Sequence, residues 1–201
     1  LAELREWILS EKTTSEMIRK ISGGLTSEVI SAVSKLMGNL DLIYAGSKMQ
    51  ITAQCNTVIG EPGILASRHQ PNHPSDDPKG VRASVLEGLS YGIGDAVIGM
   101  NPAIDTVEST MRIWDVLNEL KNTYEIPTQT CVLSHVRTQL EALSRGGKAD
   151  LCFQSLAGTQ KACEAFGITI EMLEEANALF SSHGSAKGPN VMYFETGQGS
   201  E

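Results

Sequence analysis

Four side chains in this sequence could together bind a small polar molecule: Arg68, Gln70, Asn101 and Glu195. A guanidinium is a fixed donor that stays protonated, and the amides can both donate and accept hydrogen bonds. A carboxylate that ends a buried strand costs free energy unless it is paired or meets a cation. Glu195 could therefore hold a substrate's ammonium group or form a structural salt bridge with Arg68. Asn101 precedes Pro102, a pair that is equally typical of a simple turn.

These residues stand where short apolar runs end. Five such runs occur, in "TVIGEPGILASRHQ", "DAVIGMNP", "TQTCVLSHV", "DLCFQSLAG" and "NVMYFETGQG", and a helical stretch follows each of the first four. Every run has hydrogen-bonding residues on its carboxyl side: Arg68 and Gln70; Asn101; Ser134 and His135; Gln154 and Ser155; Glu195, Thr196 and Gln198. A (β/α)8 barrel has its active site at the carboxyl ends of all strands, whereas a doubly wound sheet uses that edge mainly at its switch point. Five consecutive polar strand ends therefore favour the barrel.

The order of elements predicts an α/β fold, a (β/α)8 TIM barrel that is partial here, with about the first five βα units, preceded by N-terminal helices. Residues 1–56 carry apolar side chains at helical spacing, with Thr26 as a helix N-cap. We therefore predict an N-terminal helical segment at 1–56 and a partial TIM barrel with the site at 57–201. The stretch 57–80 is predicted to contain the first strand and its loop.

Other candidate motifs have ordinary interpretations. His69 and His73 are separated by proline, which excludes a metal-binding pair on one helix face. His135 could belong to the site, although a hydrogen-bonded core histidine is more common. Asp76 and Asp77, ahead of a proline, predict a solvated turn or a helix N-cap. The "GQG" stretch lacks the lysine and spacing of a phosphate loop, and no G-x-S-x-G elbow occurs.

The composition argues against several classes of protein. The chain has 201 residues, enough for a domain with a buried core, and 41% of them are hydrophobic. A net charge of -8 argues against a non-specific nucleic-acid binder. No apolar run approaches the ~20 residues of a membrane span, and no signal peptide opens the chain. The four cysteines form no C-x-x-C pair, which argues against a zinc ribbon and fits a reducing, cytoplasmic location.

Several longer stretches resemble the heavy (large) subunit of ethanolamine ammonia-lyase. They are "TVIGEPGILASRHQPNHPSDD", "EGLSYGIGDAVIGMNPAID", "IPTQTCVLSHV", "FQSLAG" and "MYFETGQGS", and the similarity includes "LREWILSE" and "GLTSEVISAVSKLMGNLDLIYAGSKM" near the start. The resemblance implies a radical lyase that uses adenosylcobalamin to convert ethanolamine to acetaldehyde and ammonia in ethanolamine catabolism. It also implies a light (small) subunit as partner, association of heavy chains with one another, and a location in the cytoplasm or a bacterial microcompartment.

The resemblance also implies roles for the residues at matching motif positions. The hydroxyl oxygen of the substrate would be held by Arg68 and Asn101. The amino group would be held by Glu195 and Gln70, with Glu195 able to bridge both groups. The catalytic residues would thus be Arg68 and Glu195. The cofactor contacts in this part of the chain would be Pro102 and Gln154.

The family's heavy subunit is much longer than this chain. Because the sequence begins with Leu1 and stops after "ETGQGSE", we expect a piece of a longer protein that lacks the last barrel units. We also expect the 201 residues to be inactive by themselves. Two other functions stay open, a non-catalytic assembly or binding module and another small-amine enzyme on the same barrel. Cobalamin binding would separate the first from the lyase, and ethanolamine turnover would separate the second.

Overall fold

The computed structural model describes residues 1–196, so that Gln198 lies outside the described residues. The chain divides into two compact units, Leu1–Ile51 and the part from Thr52 onward. The elements of the first unit are α1 (Ala2–Leu9), α2 (Ser15–Ser22), α3 (Ser27–Lys35) and α4 (Asn39–Ser47). The predicted N-cap of α3 is confirmed, because the hydroxyl of Thr26 accepts a hydrogen bond from the backbone N–H of Val29.

The second unit alternates strands and helices and has an α/β fold. Its elements are β1 (Ala53–Gln54), β2 (Val58–Ile59), β3 (Arg68–His69), α5 (Pro78–Ser90), β4 (Val97–Met100), α6 (Val107–Thr123), β5 (Thr130–Val132), α7 (Val136–Ser144), β6 (Cys152–Leu156), α8 (Gln160–Ala165), α9 (Ile170–His183) and β7 (Met192–Thr196). In the described part of the chain, none of these helices combines the length and the apolar character needed to cross a membrane.

The first apolar run differs from its prediction. Residues 53–59 form an antiparallel hairpin of β1 and β2, so that the helical segment does not extend to residue 56. The run then breaks at Gly60 and Gly63, whose φ angles of 91° and 80° lie in the left-handed region that favours glycine. Leu65 beyond them is 99% exposed. Only the end of the run, Arg68–His69, enters the parallel sheet.

The remaining strands pair in parallel. The order β3-β4-β5 forms one sheet and β6-β7 forms another. The backbone N–H of Leu151, just before β6, donates to the carbonyl of Thr130 in β5 at 3.1 Å, which places the two sheets edge to edge. The described residues do not form a closed barrel.

Alternation along the strands gives the sheets two apolar faces. Ile98, Met100 and Val132 pack with helix residues such as Trp114 and Phe180 in the main core. A second cluster occupies the opposite face and consists of Cys55, Val97, Cys131, Leu151 and Phe153. Burial on both faces is typical of parallel sheets and explains why the strands read as nearly continuous apolar runs.

A buried carboxylate ties the amino-terminal ends of these strands to their helices. Asp150 is fully buried, and the ammonium of Lys121 on α6 donates to its two oxygens at 2.7 and 2.6 Å. The hydroxyl of Ser185 donates to the same carboxylate at 2.7 Å, and the backbone N–H of Thr130 donates at 2.9 Å. The buried charge is therefore both paired and fully hydrogen-bonded, which is the condition under which a protein interior tolerates it.

Removal of this carboxylate should destabilise the protein. Asp150→Ala is expected to lower the free energy of unfolding by about 3–5 kcal/mol, because it leaves the ammonium of Lys121 nearly buried and unpaired. Urea unfolding followed by tryptophan fluorescence measures the change. Asp115→Ala, at an exposed position of the same helix, is the control and should change the free energy by less than about 0.5 kcal/mol. Equal effects of the two substitutions would contradict the role given to Asp150.

Candidate functional site

The register of β3 and β4 places three of the predicted site residues on one face of the sheet. Arg68 lies opposite Val97, and a further parallel bridge pairs Asn72 with Asn101. In both pairs the partner lies the same number of positions further along the chain, so the register is continuous from Arg68 to Asn72 and includes Gln70. Because side chains of an extended strand alternate between the two faces, Arg68, Gln70 and Asn101 then lie on the same face. Gln70 is exposed and Asn101 is half-buried. Among the described residues, neither side-chain amide has a hydrogen-bond partner.

Strand β7 brings two further groups to the guanidinium of Arg68. Nη1 of Arg68 donates to Oε2 of Glu195 at 2.6 Å and to the hydroxyl of Tyr193 at 2.8 Å. The ion pair joins β3 of one sheet to β7 of the other, with side chains that are 21% and 41% exposed. The salt bridge that the sequence pattern left open is therefore present in the structure.

Two nitrogens of the same guanidinium remain unpaired. Nε and Nη2 of Arg68 are buried, and neither has an acceptor among the described residues. The rings of Tyr193 and Phe153 lie 5.2 and 5.8 Å from Cζ, within the range of a cation–π interaction. Burial is the largest single effect and lowers the pKa of Arg68, but the hydrogen bond to Glu195 and the charge interactions with Tyr193, Cys131 and Glu195 together outweigh burial and raise the pKa. A charged, buried donor without an acceptor is costly, so a ligand oxygen bound here would be strongly favoured.

Gly99 makes room beside the guanidinium. A Cβ atom at this position would lie 2.9 Å from Sγ of Cys131 and 3.7 Å from Nε of Arg68. The first distance is shorter than packed side chains tolerate. Any residue other than glycine between β3 and β5 would therefore displace the side chain of Cys131. Burial raises the pKa of Cys131 to about 12, which keeps the thiol protonated. It behaves as a small apolar side chain.

A cleft with a volume of about 250 Å³ is lined by Arg68, but not by Gln70, Asn101 or Glu195. Its walls are mostly apolar, and its polar members are Arg68, Tyr193 and Asn190. A larger cleft of about 750 Å³ lies elsewhere in the second unit, and its lining includes Lys121 and Lys148. None of the predicted site residues lines this larger cleft. The larger cleft is therefore not the one next to the unpaired guanidinium nitrogens.

Of the two predicted cofactor contacts, Pro102 follows the carboxyl end of β4, and Gln154 is the central residue of β6. Pro102 is half-buried and follows Asn101. Gln154 is buried on the helix side of β6, where its Oε1 accepts from the backbone N–H of Val136 at 2.8 Å and its Nε2 donates to the carbonyl of Ser155 at 3.0 Å. Its amide retains one N–H and one acceptor position for a ligand. These contacts fit an organic cofactor held by amides and apolar surfaces.

No metal centre is formed by the protein in the part that the structure describes, since no three His, Cys, Asp or Glu side chains there are grouped as ligands. His135 instead caps α7, because its Nδ1 accepts from the backbone N–H of Arg137 at 3.2 Å. His69 is buried, and its ring lies 3.3 Å from the carbonyl of Ser84. Both histidines are therefore occupied with backbone groups.

Reasoning from the sequence missed two residues near the site. Tyr193 stands two positions before Glu195, so the two-residue period of a strand places it on the same face and could have identified it. The prediction of a solvated turn is wrong for Asp76, which is only 2% exposed. The alternative of an N-cap is confirmed for Asp77, whose carboxylate accepts from the backbone N–H of Gly80 at 3.0 Å. No periodic signal distinguishes which of two adjacent acids turns inward.

Comparisons with known proteins identify the family. The family model of the ethanolamine ammonia lyase large subunit (EutB) matches residues 1–201. The ethanolamine ammonia-lyase large subunit of Escherichia coli strain K12 is 46% identical over 200 residues, and that of Salmonella typhimurium strain LT2 is 47% identical over 200 residues. Each alignment covers 100% of this chain and 44% of the relative. The chain thus spans less than half the length of these curated relatives, and it belongs to the ethanolamine ammonia-lyase large-subunit family.

Proposed function

We propose that this chain is part of the catalytic subunit of an adenosylcobalamin-dependent lyase that converts ethanolamine to acetaldehyde and ammonia. The observation that carries this proposal is the guanidinium of Arg68, which is charged, has two buried unpaired nitrogens, and lies 2.6 Å from the carboxylate of Glu195. Ethanolamine has a hydroxyl oxygen and an ammonium group two carbons apart. A donor and a carboxylate side by side are complementary to these two groups.

The free hydrogen-bonding positions suggest how the substrate is held. Nε or Nη2 of Arg68 would donate to the hydroxyl oxygen, and the amide of Asn101 would donate to its other lone pair or accept its proton. Oε1 of Glu195 has no partner among the described residues, and with the amide oxygen of Gln70 it would accept from the ammonium group. Because Arg68 contacts Glu195 through Nη1, the substrate can bind without breaking the ion pair.

The chain's own residues would orient the substrate and stabilise charge during the reaction. When bound, adenosylcobalamin supplies the radical chemistry that the protein lacks. Arg68 stays protonated throughout, so it can stabilise an oxygen that gains negative charge without acting as a base. Glu195 would keep the departing nitrogen beside the same guanidinium. The apolar rings of Phe153 and Tyr193 would keep water from the charged groups, which strengthens these interactions.

The wider assembly is part of the same proposal. We infer that the five parallel strands β3–β7 are the first strands of a TIM barrel with a site at its carboxyl ends, and that Pro102 and Gln154 contact the cofactor there. The relatives are named large subunits, which supports a smaller partner subunit. Association of large subunits with one another stays a prediction. A cytoplasmic or microcompartment location stays a prediction.

Replacement of the guanidinium by an ammonium tests the binding of the substrate oxygen. Arg68→Lys in the complete heavy subunit should lower kcat/KM for ethanolamine roughly 30- to 1000-fold, because a point charge cannot replace the two unpaired nitrogens. Cobalamin titration of the same variant should be unchanged, since Pro102 and Gln154 lie on other strands. Turnover within about twofold of the wild type would remove Arg68 from the catalytic residues. Loss of cobalamin binding together with turnover would assign Arg68 a structural role.

Neutralisation of the carboxylate tests the binding of the amino group. Glu195→Gln should raise the KM for ethanolamine and lower turnover, because the amide loses the charge that pairs with an ammonium. Glu175→Gln is the matched control, since Glu175 is exposed on α9. Steady-state kinetics of the two variants in the complete heavy subunit, with light subunit and cofactor, measure the difference. Wild-type kinetics for both would show that the site lies elsewhere.

The 201 residues by themselves should not catalyse the reaction. They span 44% of the relatives' length, and β3 and β7 each have only one paired neighbour among the described residues. Acetaldehyde formation by this chain, assayed with light subunit, adenosylcobalamin and ethanolamine, is therefore expected to equal the rate without protein. Measurable acetaldehyde above that rate would overturn the expectation.

A further inference from the structure

Asp76 is a buried carboxylate at the carboxyl edge of the sheet. Its Oδ1 accepts from the backbone N–H of Ala103 at 2.8 Å. Its Oδ2 accepts from the backbone N–H of Ile104 at 3.2 Å and from the hydroxyl of Ser109 at 2.6 Å. Burial by itself raises the pKa of Asp76, but these hydrogen bonds outweigh burial and lower the pKa below its usual value. The group is therefore an anion that binds three donors.

The backbone holds Asp76 in an uncommon conformation. Its φ of 51° lies in the left-handed region, which aspartate and asparagine tolerate better than most residues. The next residue, Asp77, caps α5 and thereby fixes the position of the turn. The carboxylate of Asp76 thus projects from a defined point between β3 and α5.

Two of the three donors, the backbone N–H groups of Ala103 and Ile104, belong to the segment that connects β4 to α6, and the third, the hydroxyl of Ser109, lies in the first turn of α6. Ala103 and Ile104 directly follow Asn101 and Pro102, the expected contacts of substrate and cofactor. Ala103 and Ile104 are exposed, and Ile104 is 62% exposed, so apolar burial does not hold this segment. Asp76 supplies the acceptor for both of their backbone N–H groups. Asp76 therefore fixes the middle of this segment, between the bridge of Asn101 to Asn72 on one side and the hydrogen bond of Asp105 to the backbone N–H of His135 on the other.

We propose that Asp76 is a positioning residue that holds the Asn101–Pro102 segment in place for substrate and cofactor. This inference rests on the proposed function, in which Asn101 contacts the substrate and Pro102 contacts the cofactor. The competing explanation is that Asp76 only stabilises the start of α6, where a negative charge near a helix N-terminus is favourable. The two explanations differ in what they predict for ligand binding by folded protein.

Asp76→Asn in the complete heavy subunit tests the proposal. Asparagine keeps the shape and tolerates the positive φ, but it removes the charge and replaces one acceptor oxygen by a donor. Asp77→Asn is the matched control, because asparagine caps helices as well as aspartate does. The measurements are cobalamin titration, KM and kcat for ethanolamine with light subunit and cofactor, urea unfolding, and hydrogen exchange at the amides of Ala103 and Ile104.

We expect Asp76→Asn to speed hydrogen exchange at both amides and to raise the KM for ethanolamine and the Kd for cobalamin. Each constant should rise on the order of 10- to 100-fold, the range in which small displacements of binding groups act. Asp77→Asn should leave all values within about twofold. Faster exchange or a lower unfolding midpoint, with unchanged KM and Kd, would overturn the positioning role and leave the helix explanation.

A second variant and the wild-type protein complete the experiment. If Asp76→Asn does not fold, Ser109→Ala removes one of the three donors and should raise the same constants by about threefold or more; unchanged constants would overturn the proposal. The wild-type heavy subunit is titrated in parallel. Absence of cobalamin binding and ethanolamine turnover in the wild type would overturn the proposed function, and the positioning role with it.

Discussion

A guanidinium that is charged, largely buried and only partly paired is the constraint on which the second unit depends. Arg68 reaches from β3 to Glu195 on β7 and thereby links strands of two different sheets. The neighbouring residues adapt to it: Gly99 leaves the space, and Tyr193 and Phe153 flank the charge. A desolvated charge of this kind is tolerated only when its partners hold it in one geometry. That same requirement fixes the direction of the two unpaired nitrogens.

Two charged groups of the second unit differ in how completely they are hydrogen-bonded. At the amino-terminal ends of the strands, Asp150 and Lys121 form an ion pair in which every carboxylate oxygen is hydrogen-bonded. Arg68 on β3, by contrast, has two guanidinium nitrogens without an acceptor among the described residues. A fully satisfied pair contributes stability and has no capacity for a ligand, whereas an incompletely satisfied one is destabilising until a ligand completes it. The contrast supports the proposed role of Arg68 in ligand binding.

The loops at the carboxyl edge are linked in series by side-chain hydrogen bonds to backbone groups. Asp76 binds the segment after β4, and Asp105 in that segment accepts from the backbone N–H of His135 at 2.9 Å. Gln154 on β6 then accepts from the N–H of Val136. Exposed loops have little apolar burial to fix them, so such links supply the rigidity that a binding site needs. The first two links each join one βα connection to the next one along the sheet, and the third joins β6 to the start of α7.

The sequence by itself determined the α/β class and four of the five parallel strands, because these depend on local periodicity and spacing. It placed Asn101, Ser134 and Thr196 correctly at strand ends, whereas Gln154 lies in the middle of β6. It also identified the family, since the motifs are long and continuous. Only the tertiary structure decided that residues 53–59 form a hairpin, because two glycines with positive φ break the first run.

The tertiary structure also decided how the polar strand ends are used. Arg68 and Glu195 form an ion pair, Gln154 binds a helix N-terminus, and Asp76 turns inward while Asp77 does not. These outcomes depend on contacts between residues that lie tens of positions apart in the chain. Local pattern carries no information about such contacts, because a hydrogen-bonding side chain has the same propensity whether its partner is water, backbone or a ligand.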